Sequence, residues 1–310
     1  MKKIIAIIIF TIVCIGISFA GFSKNDAGTR GLQFLKIGVG VRAVGMGGAY
    51  AGLSDDVNAI YWNPAGLNKI ERNEVSLMHC IWFEDIRYQS LVFAHPTSDA
   101  SYGLMVNYLG MDPIGKVTNT GQSLGDKYSP SDIAVTLSYA RVMFGAPVGV
   151  NLKYISSNID TERAVGIAGD VGMQFELAED VVSLGIAVQN IGQDLVYIKE
   201  GTSLPLNIKT GLAYKTPVGM GELIITGDVN APIDNKIGFN LGAEYKIKIN
   251  EKFSISPRAG YRTDHSELEG TKDISLGWGI LFNDIELDYA WTPYGELGMA
   301  HQMSLLLRFD

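Results

Sequence analysis

The sequence predicts an all-β transmembrane fold, an antiparallel outer-membrane barrel of about 14 strands with an N-terminal helical plug or hatch. Three observations predict it. Apolar and polar residues alternate along most of the chain from Glu74 onward; tight turns alternate with longer polar loops; and the chain ends on an amphipathic strand that stops at Phe309.

Taken in order, the chain opens with Lys2 and Lys3, the apolar run Ile4 to Ile17 and then Ser18-Phe19-Ala20. A charged start, a short apolar stretch and a small-x-small site read as a cleaved export signal over residues 1–20, with a mature start at Gly21. The run is shorter than the roughly 20 residues that a spanning helix needs. Cys14 falls in this leader, which leaves Cys80 without a partner for an internal disulfide and reads it as a small apolar strand residue. The formal net charge of −8 and pI near 5.1 argue against nucleic acid as a partner. Only 19% of residues are charged while 36 are glycine, which suits apolar surface and many turns.

Residues 21–73 form the arm and plug. The arm has one amphipathic piece, Thr29 to Leu35. Arg42 to Leu67 then reads as helix, turn, helix. Ala43, Val44, Met46, Ala49, Tyr50 and Leu53 recur at helical spacing, and Gly45, Gly47 and Gly48 permit close approach of another backbone. Ser54 or Asp55 is placed to cap the second helix, and Asn63-Pro64 ends it because the residue before proline is pushed out of the helical region. Gly45-Met46-Gly47-Gly48 is no dinucleotide fingerprint, since the third glycine and the βαβ context are missing. Asp55 and Asp56 are adjacent, so on a helix they point apart; helix-terminal charge explains them better than paired acid–base work.

Residues 74–310 form the barrel. Strands are predicted near residues 74–80, 86–95, 100–109, 132–143, 146–156, 165–176, 181–190, 206–216, 221–230, 236–249, 252–262, 273–282, 284–292 and 301–309. Ile237, Phe239, Leu241, Ala243, Tyr245, Ile247 and Ile249 share one face of the clearest of them, with Asn240, Glu244 and Lys246 on the other. In the last strand Met303, Leu305, Leu307 and Phe309 face outward against Gln302, Ser304 and Arg308, the pattern by which such barrels are recognised for assembly. Tyr102, Tyr108, Tyr154, Trp278 and Tyr289 lie on the apolar faces, where amphipathic rings favour the membrane interface. A barrel this wide leaves a lumen, and Arg42 to Leu67, entering the wall from the short-turn side, is the segment predicted to fill it. Inward Glu244, Lys246, Lys248, Arg258, Arg262, Glu286, Asp288 and Arg308 are expected to form a lumen network touching it.

His79, His95, His265 and His301 have no metal-ligand spacing, and neither a nucleophile elbow nor a phosphate-binding glycine loop occurs. No catalytic, cofactor-binding or metal residue is therefore assigned.

Phe34-Leu35-Lys36-Ile37-Gly38, Met46-Gly47-Gly48-Ala49-Tyr50 and Asp55 to Leu67, with Asn63-Pro64-Ala65-Gly66 at its end, resemble the N-terminal region of PorV/PorQ proteins within the FadL-like outer-membrane superfamily. The resemblance implies a fourteen-stranded barrel with an N-terminal hatch, whose residues here are Arg42, Gly45, Gly47, Gly48, Asp55, Asp56, Asn63, Pro64 and Gly66. It implies two functional readings. One is a non-enzymatic partner in type IX-like secretion, holding exported cargo or secretion-system proteins. The other is a FadL-type channel for passive uptake of a hydrophobic, lipid-like small molecule. Outer-membrane lipid is the surrounding partner in both.

Overall fold

The computed structural model describes residues 28–143, 145–263 and 273–310. The predicted export signal, Cys14 and His265 lie outside the described residues. Period-two alternation produces β1 (Asn73–Ile81), β2 (Arg87–Pro96) and β3 (Ser101–Gly110), then a loop hairpin of β4 (Ile114–Val117) and β5 (Ser123–Tyr128). The wall resumes with β6 (Ser131–Met143), β7 (Ala146–Ile159), β8 (Glu162–Ala178) and β9 (Val182–Gly192). A second loop hairpin, β10 (Leu195–Tyr197) with β11 (Glu200–Thr202), precedes β12 (Asn207–Val218), β13 (Gly221–Pro232) and β14 (Gly238–Asn250). Then come β15 (Phe253–Arg262), β16 (Ile274–Phe282), β17 (Ile285–Pro293) and β18 (Met299–Phe309).

All strands except those of the two loop hairpins pair antiparallel with their wall neighbours and close into one barrel of 14 strands. Closure joins the ends of the chain: Asn73 faces Phe309 and Ile81 faces His301 across β1 and β18. A closed ring leaves no unpaired edge, the condition for strands to stand in lipid. Tight turns at 97–100, 179–181, 219–220, 251–252 and 283–284 lie at one end, and the longer connections, including both hairpins, at the other. The two hairpins fall within loops that the alternation of residue types leaves without strands.

The faces sort as their residue types dictate. On β14 Leu241 is 58% exposed while its neighbour Asn240 is 6% exposed. Outward Met303 (62%) contrasts in the same way with Gln302 (3%) on β18. Apolar rings and aliphatics thus point away from the lumen, where only an apolar solvent accommodates them.

The core lies inside. Val39, Met46, Tyr50, Leu53, Val57, Ile60 and Leu67 are fully buried and form one cluster with inward residues of the wall. This inner segment starts at the long-loop end, where Gln33 and Lys36 bond Asp234. It leaves at the short-turn end to begin β1 at Asn73. The helices are shorter than the periodicity predicts. The first, α1, covers Val41–Gly45 and stops because Gly47 and Gly48 take φ of 68° and 72°. The second, α2, covers Ala59–Trp62, and no side chain caps it. Ser54 and Asp55 therefore do not cap it as expected: the Ser54 hydroxyl bonds Tyr50 O, and the Asp55 carboxylate is held by Arg42.

Candidate functional site

The inner segment meets the wall almost all the way round, and the predicted residues fall at the contact points. Gly45 lies against Gly277 of β16. Gly47 lies against Gly260 of β15, so closely that a Cβ at Gly260 would overlap the Gly47 amide nitrogen. Gly48 packs beneath the Trp62 ring, where a Cβ would come within 3.0 Å of it. The Asn-Pro-Ala-Gly element is a three-way clamp. Asn63 donates to Ala51 O and to Met173 O of β8, both at 3.0 Å, and accepts from Ala65 N. Pro64 and Ala65 rest on the backbone of Gly149 in β7, and a side chain at Gly66 would strike Ser54 O.

Arg42 is the electrostatic centre. Its guanidinium donates to Glu244 of β14 at 2.7 Å, to Asp55 at 2.6 Å and to the Tyr50 hydroxyl at 2.9 Å, and Asp56 is 3.5 Å away. Asp55 reaches on to Lys215 of β12 at 2.8 Å. Glu244 is shared with Arg258 of β15, which also binds Glu286 and Asp288 of β17. Glu286 continues to Arg308 of β18, Arg308 to Glu74 of β1, and Glu74 accepts from Val57 N at 2.8 Å. A continuous belt of charge therefore leaves the segment at Asp55 and Arg42, runs through the wall and returns at Val57. Of the charges expected to line the lumen, Glu244, Arg258, Glu286, Asp288 and Arg308 join it. Arg262 instead lies 5.3 Å over the Tyr294 ring at the long-loop end, and Lys246 and Lys248 sit nearer the short-turn end of β14.

Burial alone would push the Asp55 carboxyl up, but Arg42 and Lys215 outweigh it and hold the group well below the usual carboxylate range. Its neighbour Asp56 goes the other way: burial raises it, and the Asp55 charge adds to the effect against Arg42. Asp56 accepts from the Tyr50 hydroxyl at 2.7 Å and from Asn58 N at 2.9 Å.

Several wall residues that hold the segment carry no sequence signal of that role. Asp228 of β13 accepts from Tyr50 N and Ala51 N at 2.9 and 2.8 Å. Gln174 of β8 and Ser183 of β9 both donate to Gly52 O, Gln189 of β9 to Tyr61 O, and Asn151 of β7 to Ile60 O. Alternation marks each as inward; which of them meets the segment depends on barrel closure.

Two cavities flank the segment. One of about 340 Å³ lies at the long-loop end between Leu35, Val44, Trp62, Trp82, Asn190 and Tyr294. The other, about 510 Å³, lies at the short-turn end between Lys69, Pro147, Gln174, Phe175 and Glu179. They share no lining residue. Among the described residues no group of three or more His, Cys, Asp or Glu is placed to hold a metal, and no helix is long and apolar enough to cross a membrane. Met303, Leu305, Leu307 and Phe309 line the outer face of β18, away from the segment, with Phe309 stacked near Phe93 of β2.

The barrel is similar to solved transporter and channel structures at identities that show the fold alone. The Ralstonia pickettii toluene transporter TbuX superposes with a TM-score of 0.60 at 14% identity, over 88% of this chain and 99% of that one. The CymD monoaromatic hydrocarbon channel gives 0.62 at 13% identity, over 88% and 98%. A Pseudomonas aeruginosa FadL homologue gives 0.53 at 11%, over 88% and 98%. A UPF0164 protein of Treponema pallidum (strain Nichols) is 28% identical over 216 residues, 62% of this chain and 50% of that protein. The chain thus spans about half the length of this curated relative. These findings overturn the PorV/PorQ resemblance. Asn63-Pro64-Ala65-Gly66 is a packing clamp of the inner segment against β7 and β8, and the secretion role implied by PorV/PorQ has no support of its own. A family model described as Uncharacterised protein family (UPF0164) matches residues 16–250, most of the chain, and the protein belongs to that family.

Proposed function

We propose that this protein is an outer-membrane channel for passive entry of a hydrophobic small molecule, with residues 42–67 as its plug. The observation that carries the reading is that one stretch of chain lines two separate cavities from opposite sides. Gly38, Val44, Gly47 and Gly48 with Tyr61 and Trp62 bound the cavity at the long-loop end, and Asn68 and Lys69, directly after the plug, bound the cavity at the short-turn end. A fourteen-stranded wall is too wide to fill itself, and this stretch fills it. The similarity of fold to hydrocarbon transporters and channels over nearly the whole chain supports the ligand class. On this reading the long loops face the cell exterior, the short turns face the periplasm, and residues 1–20 are removed on export. Trp62, Trp82 and Tyr294 give the outer cavity aromatic faces suited to a flat apolar ligand.

The test is uptake of radiolabelled toluene into cells that carry or lack the protein, at equal outer-membrane integrity. Faster uptake with the protein supports the reading. Equal uptake of toluene and of a longer hydrophobic probe in both strains would contradict it.

A further inference from the structure

The two cavities carry opposite charge, and the difference bears on what the channel admits. Lys36, Lys209, Lys236 and Arg262 line the outer cavity, and among the described residues no carboxylate lines it. Asp234, which pairs with Lys36 at 3.0 Å, lies behind it with 1% of its side chain exposed. Asp228 stands two positions from Lys209 in register on the neighbouring strand, but its carboxylate is turned to the Tyr50 and Ala51 amides. At the short-turn end the balance reverses, with Glu176 and Glu179 against Lys69.

The rest of the outer lining sorts into rings and amides. Trp82 and Tyr294 form an aromatic wall, their ring centroids 5.6 Å apart, and Arg262 lies 5.3 Å over the Tyr294 ring. Lys209 Nζ lies 4.6 Å over the Trp62 ring in the same way. Each of these cations therefore stands beside an aromatic face. The amides are engaged elsewhere: Gln189 donates to Tyr61 O, Asn190 to Pro205 O and Asn240 to Gly47 O. A charged head entering the cavity is thus met by the cations.

Burying a carboxylate is costly unless fixed positive charge meets it, and an ammonium of the same shape would face like charge on every side. A plain hydrocarbon would leave the cations unused. Charge of one sign lining a cleft also raises the local concentration of its counter-ion, so an anion is gathered at the outer cavity, while the carboxylates of the other cavity do not retain it.

We propose that the molecule taken up is an aromatic carboxylate, bound in the outer cavity with its head on the cations beside Trp62 and Tyr294 and its ring against the aromatic wall. This deepens the channel reading above and rests on it.

The test is calorimetric titration of the purified, folded barrel at neutral pH with para-toluate, toluene and para-methylbenzylamine, which share one apolar body and differ in charge. The acid is expected to bind at least about tenfold more tightly than the amine, with toluene between them. Lys209→Gln and Arg262→Gln should each cut the ratio of acid to toluene affinity by about threefold or more, and added salt should cut it in the unchanged barrel. If one variant fails to fold, the other carries the result. Equal affinity for acid and amine, no binding of the acid, or a preference that the variants keep overturns the inference. Uptake of radiolabelled para-toluate into cells is read separately: a barrel that binds the acid and does not admit it sinks the transport reading and leaves the binding preference standing.

Discussion

Among the described residues, β7–β9 bind the inner segment through the neutral Asn151, Gln174, Ser183 and Gln189, whereas β12–β14 and β1 bind it chiefly through the ionisable Lys215, Asp228, Glu244 and Glu74, with Asn240 on Gly47 O as the neutral exception. Both sides hold the segment through polar groups. They differ in what disturbs them. A neutral amide bond responds little to pH or salt, while a charge belt depends on every member keeping its charge. One wall therefore serves as a fixed seat and the other as a contact that conditions and mutations can release.

Changes on the charged side are expected to have the largest effects. Arg42→Ala leaves Glu244 and Asp55 without a shared partner in a buried site and should cost about 3–5 kcal/mol in urea unfolding of the detergent-solubilised barrel. A loss below about 1 kcal/mol would mean the belt closes without Arg42. Asp228→Ala leaves the Tyr50 and Ala51 amides unsatisfied, for an expected loss of about 1–3 kcal/mol by the same assay. Gly66→Ala crowds Ser54 O and should cost a similar 1–3 kcal/mol, about as much as overpacking elsewhere. With Pro64→Ala it should also raise leakage of small solutes through a folded barrel, because it slackens the clamp that the fixed seat depends on. On the neutral side Gln174→Leu should cost about 1 kcal/mol or a little more, and that loss should be the same at low and high salt.

The smallest expected effect is acid sensitivity, and it comes from the charged side alone. The folded Asp55 carboxyl is held below its unfolded value of about 3.9. Its contribution to stability is therefore complete above about pH 4 and is lost as pH falls through the lower folded value. Asp56, raised in the fold, works in the opposite sense and offsets part of that loss. Arg42, Tyr50 and Lys69 on the segment, with Lys215, Asp228, Glu244, Arg258, Glu286, Asp288, Arg308 and Glu74 on the wall, share the same field; β16 presents Ser275, Gly277 and Gly279 there, none of them titratable. Asp55→Asn should show a flatter fall in unfolding midpoint between about pH 6 and pH 3 than the unchanged protein. An unchanged slope would place the acid response elsewhere in the belt.

The wall was legible in the sequence because lipid imposes a period of two on every strand: Phe239 and Leu241 declare the outward face, and Asn240 and Glu244 the inward one. The segment was legible as small, glycine-rich and unlike the alternating strands after Asn73. Its helices were overestimated because spacing cannot tell a helix from a chain of turns when Gly47 and Gly48 adopt positive φ. The partners were not legible. Asp228 and Tyr50 are 178 positions apart, far beyond the reach of any local pattern, and only barrel closure sets them 2.9 Å apart. Asp55 misled for the same reason: next to a predicted helix it reads as a cap, and only the fold brings Arg42 and Lys215 to it.

The central claim, that residues 42–67 seal the lumen and are latched on the charged side, is tested most directly by planar-bilayer conductance of the unchanged barrel and of Arg42→Ala, each shown folded by heat-modifiable migration. The unchanged protein should be closed or open only briefly, and Arg42→Ala should show long-lived openings. A folded Arg42→Ala barrel that conducts no better than the unchanged one would contradict the account.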